Sequence, residues 1–173
     1  MEEQIRNDLT AYLLSVNEID EKMPECPDVE GRWKQMAEAY FPDGAREFSG
    51  YPLVSLGWMM FLGMAMAQLW DMDWEKYSAV DDLYAKIRDV RGFDAMDDYI
   101  LEDILQLDEK EREYTSKLVG ECAARTLDRL NHAGIEPGTV DALRAYSACL
   151  HQLYLHGMAV QLKRLGYRMT LLT

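Results

Sequence analysis

Apolar residues recur at spacings of three and four along most of the chain. Ile5, Leu9, Tyr12, Val16 and Ile19 share one stripe, which predicts an amphipathic helix over residues 2 to about 22. Pro24 and Pro27 stop it, and Asp28 is placed to cap a second helix with the stripe Val29, Trp33, Met36 and Tyr40. The next residues, Phe41-Pro42-Asp43-Gly44, have turn chemistry, and a short turn over Ala45–Phe48 follows. Pro52 suits the first position of a third helix.

That third segment, about 52–70, differs from the rest. Between Pro52 and Trp70 no side chain is ionisable. A helix of this length rises ~28 Å, enough to cross a bilayer core. Ser55, Gly57, Gly63 and Gln68 weaken that reading, and the flanks show no bias of Lys and Arg that would orient a span. The amphipathic stripes elsewhere decide between the two, because each needs an apolar partner. A helix apolar on all sides can accept neighbours all round. The segment is expected to be a core rod.

Val80, Leu83, Tyr84 and Ile87 mark a fourth helix closed by Gly92, and Phe93-Asp94 opens a fifth through Met96, Tyr99, Ile100 and Ile104. Asp108 with Glu111 resembles an acidic capping box for a sixth helix, ended by Gly134. Thr139 caps a seventh, which runs over about 139–165 to Gly166. No stretch alternates as a strand would. The expected fold is all-α: one compact domain over 1–173, six or seven helices around the apolar rod, with the rod paired to the C-terminal helix.

Charge narrows the choice of partner. Eighteen basic against 31 acidic residues give a formal charge of −13. No basic patch offsets it, so nucleic acid is not an expected partner. The start, MEEQIRNDL, lacks the pattern of a secretory signal. Cys26, Cys122 and Cys149 are odd in number and widely spaced, as in a reduced, cytoplasmic protein. Cys122 and Cys149 belong to apolar faces, whereas Cys26 lies in a turn and is expected to be more exposed.

Candidate chemistry is sparse. Asp71, Asp73, Glu75 and Asp82 have some of the spacing of a calcium loop, but Lys76 stands where that loop needs glycine. They are expected to be a solvated connection. Asp94, Asp97, Asp98, Glu102 and Asp103 face away from the apolar side of their helix. His151 and His156 are five residues apart and so cannot share a metal as an i, i+4 pair would. No metal or other cofactor is expected, and no nucleophile–base motif is present.

Two functions from different classes fit. The first is a non-catalytic, cytoplasmic module that binds itself or another protein, with the acidic surface favouring a basic partner. The second is a small-molecule site between the rod and the last helix. Gly63, Met64, Gly157 and Met158 would wall it, and Gln152, Tyr154 and His156 would orient the ligand, with Arg144 and Tyr146 nearby. The glycines have a plainer use, which is to let two helices approach closely. The shared tripeptides Gly63-Met64-Ala65 and Gly157-Met158-Ala159 are short enough to arise by chance.

Overall fold

The computed structural model describes residues 1–167. Among these, the regular elements are helical: α1 (Glu2–Ser15), α2 (Pro27–Glu30), α3 (Trp33–Gly50), α4 (Pro52–Ser78), α5 (Leu83–Arg88), α6 (Met96–Tyr99), α7 (Glu109–Asn131) and α8 (Val140–Arg164). A 3-10 turn over Phe93–Ala95 precedes α6, and a π-helical turn over Ile100–Ile104 follows it.

α4 is the axis of the bundle, and α8 is its principal neighbour. They run side by side in the same direction. Ser55 meets Tyr146 near one end and Gln68 meets Gln161 near the other. α1, α3 and α7 close around this pair. α4 has the length and composition of a membrane span, but 72% of its most apolar 18-residue window is buried within the fold. Its side chains from Leu56 to Leu69 are mostly core because neighbours surround it.

Local signals set several boundaries. Asp108 accepts the Glu111 amide at 2.8 Å and Glu111 accepts the Asp108 amide at 3.2 Å, a complete capping box. Thr139 accepts the Ala142 amide at 3.1 Å and starts α8. The break after the rod falls at Asp73, whose extended backbone kinks α4. Asp73 and Asp82 each accept an amide three residues on, and Asp71 accepts the Tyr167 hydroxyl. Glu102 and Asp103 both pair with Arg91. Among the described residues, no three His, Cys, Asp or Glu side chains converge on a metal-sized site.

Three local expectations are corrected. α1 ends at Ser15 rather than near 22, because Asn17 takes a left-handed conformation (φ 60°) and turns the chain. Ile19 is still buried from the connection that follows. Residues 41–44 are not a turn but the middle of α3. Pro42 is exposed there, as is Glu38, whose carbonyl it deprives of a donor. Asp43 accepts Tyr84 Oη at 2.6 Å, Arg46 at 2.9 Å and Arg88 at 3.0 Å. Burial raises its pKa, but the bonds from Tyr84 and Arg88 outweigh this and hold it below the usual carboxylate range. Gly44 fits where a Cβ would strike the Tyr40 ring and, at 2.6 Å, the Tyr146 hydroxyl. Finally, Cys26 is buried, not exposed, although it lies in the turn between Pro24 and Pro27.

Candidate binding cleft

The residues singled out from sequence lie on one stretch of α4 and α8 but face different ways. Gly63 and Gly157 sit where these helices cross. A Cβ on Gly63 would collide with the Tyr154 carbonyl oxygen, and one on Gly157 with that of Met60. The space that the small residues leave is filled by the opposing backbones. Met64 is core, and Met158 is core at the edge of a shallow recess with Met23 and Pro24. Tyr154 points toward α2, where its hydroxyl donates to Val29 O at 2.8 Å.

Gln152 and His156 face α1. His156 Nδ1 donates to Gln152 O at 2.7 Å, which leaves Nε2 to accept from Thr10 Oγ1 at 2.9 Å. Burial holds this imidazole below its ordinary pKa, so it is neutral. Glu2 Oε1 accepts from His151 Nδ1 at 2.8 Å and Gln152 Nε2 at 3.1 Å. His151 also stacks on Trp33, with ring centroids 4.9 Å apart. These polar groups hold α1 to α8. They do not converge on an open space with the glycines.

A larger concavity lies elsewhere. It has a volume of about 820 Å³, between the second half of α3, the end of α7, the 132–139 connection and the first turns of α8. Phe41, Phe48 and Tyr146 form one wall, and Leu130, Ile135, Val140 and Leu143 contribute aliphatic surface. Phe48 meets Tyr146 edge-on at 5.1 Å between centroids and Phe41 does so at 6.1 Å, which fixes the rings against each other. Gly134 (φ 69°) and Gly138 (φ 79°) let the connection double back to form the far side.

Tyr146 shows its ring to the cleft, and its hydroxyl is already committed. Ser55 Oγ donates to Gly44 O at 2.8 Å, so at 2.5 Å it accepts from Tyr146 Oη. Tyr40 Oη donates to Ser55 O beside them at 2.5 Å. Burial pushes the Tyr146 phenol up to about 12, so it stays protonated. Thr139 is used as the α8 cap. Among the described residues, no carboxylate, imidazole, amine, guanidinium or thiol lines the cleft. Such a surface binds apolar groups and is poorly equipped for acid–base work.

Sequence reasoning noticed Tyr146 only as a scattered polar group, and it missed the cleft. The signal was present in part. Phe41, Ala45 and Phe48 follow i, i+4, i+7 spacing, a helical stripe concealed by treating 41–44 as a turn. No known family model, curated protein or solved structure matches the chain.

Proposed function

We propose that this protein is a non-catalytic helical binding module whose working surface is the cleft over Tyr146. The observation that carries the reading is an uncharged recess of about 820 Å³ with Val140 and Leu143 left 64% and 46% exposed at its edge. Isolated exposed aliphatics are common, but here they border aromatic concave surface, the arrangement of an interaction site. Cytoplasmic placement accompanies the proposal, supported by three thiols that are free and buried.

A small apolar ligand is the second reading, now placed in this cleft instead of between α4 and α8. Its volume falls within the range of ligand sites, about 300–1,000 Å³. The first reading is preferred because a small-molecule site buries most of its ligand, whereas this cleft is open along two of its own lining residues, Val140 and Leu143.

The test compares the tagged chain with its Leu143→Glu variant in affinity capture from source-cell extract and in sedimentation of the pure protein. The expected result is a captured partner or a self-assembly that the substitution abolishes. If neither depends on Leu143, the reading fails.

A further inference from the structure

We infer that a second surface, the groove bordered by α4, α6 and α7, receives one Lys or Arg side chain from a partner protein, its stem on apolar residues and its charge at Asp97. The groove has a volume of about 200 Å³, the scale of a single long side chain. It shares no lining residue with the cleft over Tyr146, so the inference stands apart from that reading. Leu53, Trp58, Phe61 and Val119 make its lining apolar, and Asp97 is the one charged residue in it among the described residues.

Asp97 is the anomaly. Asp94, Asp98, Glu102 and Asp103 around it are exposed, whereas Asp97 is half-buried. Among the described residues it has no ion-pair partner. Burial raises its pKa, the Asp98 amide opposes this, and the like charges of Asp98 and Glu102 add to the rise. Nearby cations are engaged elsewhere: Arg91 with Glu102 at 2.7 Å and Asp103 at 3.2 Å, and Lys117 with Glu113 at 3.4 Å. A carboxylate drawn partly out of water against apolar surface gains from a cation.

The rest of the lining suits a cation with an apolar stem. Trp58 Nε1 donates to Phe93 O at 2.8 Å, and Phe61 meets the indole edge-on at 5.8 Å between centroids, which fixes the ring. An aromatic surface beside a carboxylate can hold both the stem and the charge of a basic side chain. Gly120 keeps the groove open. A Cβ there would meet nothing within 4 Å, so no contact inside the fold calls for glycine in mid-helix. Leu53, Ser116 and Gly120 are exposed, which leaves the groove too open to bury most of a free ligand. A side chain carried by a partner is covered by the partner's own surface.

The experiment follows the Trp58 indole and the Gly57 and Gly120 amides of the full chain by NMR. The probes are a capped pentapeptide with Lys between two Leu residues, the same peptide with norleucine in place of Lys, and butylammonium. Titrations are run at about 150 mM salt, where exposed charges are screened beyond ~8 Å, and folding of each variant is checked by circular dichroism. The Lys peptide should shift these signals saturably and the norleucine peptide should not. Asp97→Asn should weaken the Lys peptide roughly tenfold, Gly120→Leu should abolish its binding, and Leu143→Glu in the other cleft should leave it unchanged. Undiminished binding to Asp97→Asn, or equal binding of the norleucine peptide, overturns the inference. Shifts that spread over the acidic surface without saturating indicate diffuse attraction and overturn it too. Butylammonium bound as tightly as the Lys peptide assigns the groove to a free amine and removes the partner protein. If Asp97→Asn does not fold, Gly120→Leu and the norleucine contrast decide the outcome.

Discussion

Gly63 rests against the carbonyl oxygen of Tyr154, with no room for a methyl group between them. The relationship is reciprocal. Gly157 rests against the carbonyl of Met60, and each carbonyl belongs to the residue three positions before the other glycine. α4 and α8 thus cross through a locally two-fold contact of backbone on backbone, and this closeness leaves both helices otherwise lined with core side chains.

Substitution at the crossing is therefore expected to be costly. Gly63→Ala and Gly157→Ala each force the helices apart and lose about 1–3 kcal/mol or more, as overpacking does. Gly120→Ala is the contrasting case. It lies on the exposed side of α7 with open space around its Cβ position, and replacing helical glycine there should gain about 0.5–1 kcal/mol. Urea denaturation of the three variants measures both signs, and a neutral Gly63→Ala would refute the close crossing.

The hydroxyl chain beneath the cleft predicts an order of effects. Ser55→Ala removes both the donor to the Gly44 carbonyl and the acceptor for Tyr146, at about 1–3 kcal/mol for each orphaned group. Tyr146→Phe leaves the Ser55–Gly44 bond intact and should cost about 1 kcal/mol. Thermal or urea unfolding should rank Ser55→Ala as clearly the worse. Equal losses would mean that the two bonds do not share Ser55 as described.

The architecture was largely legible in the sequence because its main determinants are local or long. A nineteen-residue stretch without ionisable groups, Pro52 to Trp70, marks the axis whatever its neighbours are. The Asp108–Glu111 box and the Thr139 cap are readable because residues three apart satisfy each other's backbone. Residues 41–44 misled for a tertiary reason. Asp43 and Gly44 are turn formers taken in isolation, but Asp43 serves Tyr84 and Arg88, and Gly44 makes room for Tyr40 and Tyr146. The cleft could not be read for a related reason. Phe41 and Leu143 are about a hundred positions apart, and no local pattern announces that α3 and α8 leave a gap between them.

All three cysteines should resist modification while the protein is folded. Burial raises the Cys26 thiol above its ordinary value and pushes Cys122 and Cys149 up to about 12, so little thiolate is present at neutral pH. A disulfide-exchange reagent should label them only as fast as the chain opens, and at once in strong denaturant. Cys26 is the informative one, since its place between Pro24 and Pro27 suggests an accessible loop thiol. Rapid stoichiometric labelling of native protein at Cys26 would contradict its burial.

The seam between α1 and α8 should weaken in mild acid, and His156 supplies the sign. The imidazole is 1% exposed and neutral. Burial is the main cause of its lowered pKa, and nearby Arg6 adds to it, against the raising effect of the bond to Gln152 O. The unfolded chain takes up this proton near the ordinary value of 6.5, before the folded chain does. Stability is therefore full above that pH and falls as pH drops through it toward the lowered folded value. Glu2, also on this seam, does not act in the same window. Its pKa is lowered on balance, because the bonds from Gln152 and His151 outweigh burial, so its contribution is lost only below about 4.5. The urea midpoint should thus be lower at pH 5.5 than at 7.5. His156→Gln removes the titrating group and can still meet Thr10, and it should flatten that difference. A slope unchanged in His156→Gln would show that the buried imidazole is not its source.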